Sequence, residues 1–159
     1  MQVETGAYST SPIVTAGTSA TRPSSEGATI DDANINDVNF SYQVTVTPEA
    51  ASTQLSGTVQ VLTLGSNAFV SYNATSTRWE VTDGTNTATV TDTFTAGQSV
   101  VLKIIGSSNG LQISANGTAG TSATYDLALP TGDITFKGDF SFKDNVSYRK
   151  DKGASWLTE

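Results

Sequence analysis

Three observations predict an all-β chain, folded as an antiparallel β-sandwich or barrel. Apolar and polar residues alternate with period two, most clearly where Phe40, Tyr42, Val44 and Val46 interleave with Ser41, Gln43, Thr45 and Thr47. That alternation makes a strand with one buried face. Short runs of this kind are separated by the turn dipeptides Asp83-Gly84, Asn109-Gly110 and Asn116-Gly117, whose first residues tolerate the φ that tight hairpins need. The composition is rich in Thr, Ser, Gly, Asn and Ala, with only 36% hydrophobic and 14% charged residues. Thr is the polar residue best suited to a half-buried pleated surface.

The elements follow in order. Residues 1–28 show no periodicity and are broken by Pro12 and Pro23, so they read as an extended arm or linker. Tyr8, Ile13 and Val14 are its candidate anchors onto a body or a neighbour. The body is expected over 29–159. Its first clear strand starts at Phe40 and ends at Pro48, followed by a loop, PEAAST. Thr58–Leu64 and Ala68–Tyr72 are two further strands, closed by Gly65-Ser66-Asn67 and Asn73-Ala74-Thr75. Trp79 and Val81 share one face of the next strand, and Thr87–Thr91 returns after the Asp83-Gly84 turn. Val100–Ile105 is apolar on both faces except at Lys103, the pattern of a central strand. Leu111, Ile113 and Ala115 then alternate before Asn116-Gly117. Ile134, Phe136, Phe140, Phe142, Val146 and Tyr148 all fall on even positions. They predict one long strand, or two broken at Gly138, whose aromatic face enters the core or packs on a neighbouring subunit. Gly153–Leu157 begins a single helical turn, the one departure from strand periodicity. About ten short strands with turns at this spacing mean a sandwich or barrel.

Charge and missing residue types exclude several functions. The net charge of −7 repels phosphate backbones, so nucleic acid is not an expected partner. The one basic cluster, Lys143, Arg149, Lys150 and Lys152, is interrupted by Asp144 and Asp151 and reads as a solvated chain end. With no Cys there is no disulfide or thiolate metal site, and with no His the commonest general base and metal ligand are missing. No run approaches the ~18 apolar residues of a membrane helix, and the N-terminus lacks the basic-then-apolar pattern of a signal peptide. Sequons at Asn39, Asn73, Asn116 and Asn145 are expected by chance in so Thr-rich a chain.

The order of segments carries a likeness. A Trp-containing strand runs into DGTNTA, then a strand, FTAGQ, an apolar strand, an Asn-Gly turn and LQISANG. This series resembles the concanavalin A-like (laminin G-like) jelly-roll domain, particularly the form at the C-terminal end of phage tail fibres and tailspikes. QVETGAYSTSPIVTAGTSATRPSSE resembles the connector into such domains, and NVSYRKDKGASWLTE resembles their closing strand and short helix. The last segment departs from the usual form in having fewer Leu and acidic residues. The likeness covers roughly residues 2–159 and rests on order and spacing rather than on any single motif. It implies a jelly-roll sandwich and a piece or small subunit of a larger assembly. It further implies a non-enzymatic tail-fibre domain on the virion, outside the host cell. Such a domain assembles as a homo-oligomer, expected to be a trimer, and binds host-surface polysaccharide or stabilises the trimer. The alternative is a purely structural virion module, for capsid decoration or trimerisation, without a ligand.

Candidate sites are few. Jelly-roll glycosidases need paired carboxylates on one strand face. Glu80 and Asp83 have the wrong spacing and opposite parity, and Asp83 suits the first position of a turn. Asp31, Asp32 and Asp37, with Asn34 and Asn36 between them, are the densest oxygen cluster. Calcium takes about six to eight oxygens, so this loop is the candidate calcium site, against a plain solvated loop. No other cofactor is expected. For carbohydrate, the candidates are Tyr72 and Asn73 at a strand end, Tyr125 and Asp126 near a predicted loop, and Trp79. Against this, the alternation of Trp79 with Val81 predicts a core ring, and Trp156 with Leu157 is expected to pack the C-terminal turn onto the body.

Overall fold

A computed structural model describes residues 26–30, 40–64, 68–126, 134–137, 140–148 and 154–158. Among them the strands are β1 (Glu26–Ile30), β2 (Phe40–Pro48), β3 (Thr58–Leu64), β4 (Ala68–Asn73), β5 (Arg78–Thr82), β6 (Thr87–Thr91), β7 (Val100–Ser107), β8 (Gly110–Ala115), β9 (Thr118–Ala123), β10 (Ile134–Lys137) and β11 (Phe140–Tyr148). Two 3-10 turns, Ser52–Gln54 and Ala154–Thr158, complete the described elements. The strands form a six-stranded sheet, β1-β10-β3-β4-β5-β6, and a five-stranded sheet, β11-β2-β7-β8-β9. Every pairing is antiparallel. The two sheets pack as the expected sandwich, and β7 is the middle strand of its sheet.

The alternation read from the sequence sets which residues face inward. Val44, Val46, Leu102, Ile104, Leu111 and Ile113 from the five-stranded sheet meet Leu62, Val70, Tyr72, Trp79 and Val81 from the other. Tyr72, Trp79 and Phe94 form a ring cluster, with centroids 4.8–5.3 Å apart. Such offset and edge contacts add to the area that the rings bury. Ser52, in the loop after β2, holds this cluster at its end. Its backbone N–H donates to the Phe94 carbonyl, and its Oγ accepts from the Phe94 N–H.

Asn116 and Gly117 take φ values of +50° and +80°, the left-handed pair that a two-residue hairpin turn demands. They join Ala115 to Thr118 directly. The sandwich is also closed along the β6–β9 side. Thr121 Oγ1 accepts from the Thr89 N–H at 3.2 Å and lies 3.3 Å from the Thr89 carbonyl, to which it can donate instead. The hydroxyl thus covers backbone groups that β6 would otherwise show at a sheet edge. Gly120 permits this approach, since a Cβ there would lie 2.0 Å from the Thr89 carbonyl oxygen.

Three expectations are refined. The even-numbered aromatic series is two strands in different sheets, β10 and β11, so the chain changes sheet between Lys137 and Phe140. β11 also carries extra residues between Phe142 and Val146 relative to its partner. Strand β1 begins at Glu26, inside the stretch expected as arm, while residues 1–25 lie outside the described residues. The turn before β8 is centred on Ser108 and Asn109, because Ser107 pairs with Gly110.

Candidate functional site

At one end of the sandwich lie the β5–β6 turn, the start of β2 and the segment after β9. Asp83 organises this end. Its Oδ1 accepts from the N–H groups of Thr85 (2.9 Å) and Asn86 (2.6 Å). Its Oδ2 accepts from Asn86 Nδ2 (3.3 Å) and from the Asp126 N–H (3.1 Å). Desolvation by burial acts to raise the Asp83 pKa. The bonds from Asn86, Thr85 and Asp126 outweigh it and hold the carboxyl below its ordinary value. Both oxygens are committed to structure, so Asp83 is a clamp between the turn and the chain beyond β9.

Tyr125 and Asp126 therefore do sit beside a rim loop, as the sequence suggested, but the Tyr125 ring does not face outward. It is 6% exposed and packs edge-on against Phe40 at 5.6 Å. Burial, with the nearby Asp83 carboxylate second, pushes its hydroxyl up to about 12. Tyr72 is 0% exposed and its hydroxyl donates to the Asp92 carbonyl at 3.0 Å. Burial raises its pKa, the Asp92 carboxylate adds to that, and a hydrogen bond with Ser52 opposes it. Trp79 is likewise 0% exposed. None of these three rings offers a face to a sugar, which corrects the carbohydrate-site reading of Tyr72, Tyr125 and Trp79: strand alternation turns Tyr72 and Trp79 into the core, and Tyr125, beyond β9, packs against Phe40. Trp156 is also buried, against Ile105. Asp126 is exposed. Asp31, Asp32 and Asp37 lie outside the described residues. Among the described residues no group of three or more acidic side chains is placed to hold a metal.

Asn73 is placed differently. Tyr72 faces the core, so by alternation its neighbour Asn73 lies on the outer face of the six-stranded sheet. There it pairs with Arg78 across the β4–β5 hairpin. Arg78 and Glu80 share that face because Trp79 and Val81 point inward. Glu80 Oε1 accepts from Arg78 Nε at 2.7 Å and from Asn73 Nδ2 at 3.2 Å. Asn73 is itself fixed, since its Oδ1 accepts from the Ser76 N–H at 3.1 Å. The Arg78 and Glu80 side chains are 40% and 13% exposed. Ser71 stands opposite Glu80 in register, and its Oγ is buried with no hydrogen-bond partner among the described residues. Half-buried Phe69 lies two residues along the same face of β4. The result is a fixed carboxylate, guanidinium and amide beside an aromatic ring. Of these residues only Asn73 was singled out from sequence for binding. The sequence offers Glu80 only as a catalytic acid, and nothing in it singles out Arg78. The parity of the residues flanking Trp79, combined with the hairpin register, is the signal that unites them.

No protein-family model matches the chain, and no curated protein matches it in sequence. Solved structures do match. Sheep galectin-11 in complex with glycerol superposes with a TM-score of 0.53 at 12% identity, covering 81% of this chain and 100% of that one. The native heptameric SAP-like pentraxin from Limulus polyphemus gives 0.48 at 8% identity over 84% of this chain and 70% of its own. A polysaccharide lyase of family 18 gives 0.42 at 11% identity, over 72% and 73%. The galectin-11 match, with the two antiparallel sheets, shows the fold: a jelly-roll sandwich, as the segment order implied.

Proposed function

We propose that the chain is a non-enzymatic, glycan-binding jelly-roll domain of a phage tail fibre or tailspike, assembled as a homotrimer and acting on the host surface. The observation that carries glycan binding is the Asn73–Arg78–Glu80 cluster on an outer sheet face, fixed in place before any ligand arrives. Preorganised polar groups around an apolar shelf are what a sugar site needs, because hydroxyls require directional partners and the C–H face of the ring requires an aromatic one. The galectin-11 complex holds glycerol, a polyol, on the same class of fold. The absence of catalysis is supported by chemistry. Glu80 is bound to Arg78 and Asn73, and Asp83, the nearest carboxylate in sequence, has both oxygens occupied by the turn. The phage origin and the trimer rest on the sequence likeness alone.

One observation favours the second reading, a structural virion module without a ligand. Tyr72, Trp79, Tyr125 and Trp156 are all buried, so the largest candidate rings are spent on packing. Glycan-array and host-cell binding by the assembled chain, with its mass measured by light scattering, separates the two. Binding by a trimer supports the first reading. A blank array with no cell binding leaves the structural one.

A further inference from the structure

On the outer face of β4 and β5, which meets solvent at Arg78, donors and acceptors are unequally matched, and this narrows the ligand. Glu80 Oε1 accepts two hydrogen bonds, whereas Oε2 accepts none among the described residues. Arg78 uses Nε on Glu80 and leaves both Nη groups without a protein partner among the described residues. A carboxylate oxygen with spare lone pairs therefore lies beside a guanidinium with spare N–H groups. Ser71 Oγ, opposite Glu80 on the same face, adds a buried hydroxyl without a partner among the described residues.

We infer that this face takes an uncharged sugar through a pair of adjacent hydroxyls, one donating to Glu80 Oε2 and its neighbour accepting from the Arg78 guanidinium. The inference rests on the glycan-binding reading above and names the class of glycan. A hydroxyl both donates and accepts, so a diol matches a carboxylate next to a guanidinium. An acidic sugar does not. Its carboxylate would compete with Glu80 for Arg78 while lying against the Glu80 charge, on a chain of net charge −7. The ion pair thus acts as a filter: Arg78 is neutralised in advance, which removes the attraction an anionic glycan would otherwise find. Phe69 supplies the apolar surface on the same face for the sugar's C–H groups.

The test is saturation-transfer NMR on the full chain. Methyl glycosides of glucose, galactose and mannose serve as neutral probes, and galacturonic acid and N-acetylneuraminic acid as acidic ones. At least one neutral probe should bind and both acidic probes should bind more weakly. Glu80→Gln and Arg78→Ala should each weaken the neutral probe about tenfold, the size of one lost hydrogen bond to a charged group. Gln112→Ala, on the other sheet, should bind as the parent does. Far-UV circular dichroism checks that every variant is folded. Acidic probes binding as well as neutral ones, or an unaltered Glu80→Gln, would overturn the filter while leaving glycan binding standing. No binding of any probe, together with a blank array, would remove both.

Discussion

The outer face of the five-stranded sheet carries Lys103 and Ile105 and is roofed by Trp156 and Leu157, whereas the outer face of the six-stranded sheet carries Asn73, Arg78 and Glu80 and meets solvent at Arg78. Both faces belong to strands of similar length on one core, so the difference lies in the outward residues. Ile105 on an outward position would cost burial free energy if left in water, and the C-terminal 3-10 turn removes it from water to 2% exposure. Lys103 is covered by the same turn. Its Nζ donates to the Trp156 carbonyl at 2.9 Å and lies 5.3 Å from the centre of the Trp156 ring, so the buried ammonium keeps a hydrogen bond and an electrostatic partner. On the other sheet the outward polar groups satisfy one another in part, Ser71 is fully buried, and the face meets solvent at Arg78. One face is committed to stability, and the other carries the groups proposed to bind a sugar.

That contrast can be broken most forcefully at Trp156. Trp156→Ala should cost about 3 kcal/mol, near the low end for a buried Trp because one side of the site borders solvent. Urea unfolding would read this as a lower midpoint with an unchanged slope. A stability equal to the parent's would mean that the roof contributes nothing, and the two faces would then be equivalent. Gly120→Ala comes next. It drives a methyl group against the Thr89 carbonyl, where the two sheets are stitched together, and should cost about 2 kcal/mol by overpacking. The Thr89–Thr121 bonds should weaken with it, seen as faster amide exchange at Thr89.

A third effect is set by pH at the end of the sandwich that joins both sheets. Tyr125 ionises near 10 in the unfolded chain and near 12 in the folded one. Its contribution is therefore complete below pH 10 and is lost as pH rises towards 12, because the unfolded chain releases its proton first. Thermal melts across that window should fall, and Tyr125→Phe should flatten the fall, with Tyr72 responsible for part of the remainder. Asp83 has the opposite sign. Its contribution is present above the ordinary value of 3.8 and disappears as pH drops through its lower folded value. Asp83→Asn should flatten the acid limb.

Local chemistry made most of the strands legible. β2, the β5–β6 hairpin and the turn at Asn116-Gly117 are each specified by residues within a few positions of one another, through alternation or through φ demands. The aromatic run from Ile134 to Tyr148 was less legible, because alternation gives the parity of a strand but not the sheet it joins. The change of sheet after Lys137 depends on partners 70 or more residues away in sequence, Leu62 and Leu64 for β10 and Tyr42 to Pro48 for β11. The site shows the same limit. Tyr72 and Tyr125 stood near predicted loops, yet whether a ring at a strand end turns inward is decided by Phe94, Phe40 and Asp92. Lys103 stood out in sequence as the one charge in an apolar strand, but nothing nearby announced that the C-terminus would cover it.

The smallest effect is the most discriminating. Glu80→Gln removes the charge from a pair 2.7 Å long whose side chains are 40% and 13% exposed, and pairs that reach solvent contribute about 0–1 kcal/mol. If the open face exists for binding, this variant should unfold within about 0.5 kcal/mol of the parent while its sugar binding falls. A loss comparable to that of Trp156→Ala would have a different meaning. Glu80 would then be holding β4 to β5, and the carboxylate, guanidinium and amide would be one more roof built from polar atoms. Water can replace Glu80 as acceptor for Arg78 and Asn73, because both sit at the surface. It cannot replace Trp156 over Ile105. For that reason the two substitutions should separate widely in stability, and in the opposite order in binding.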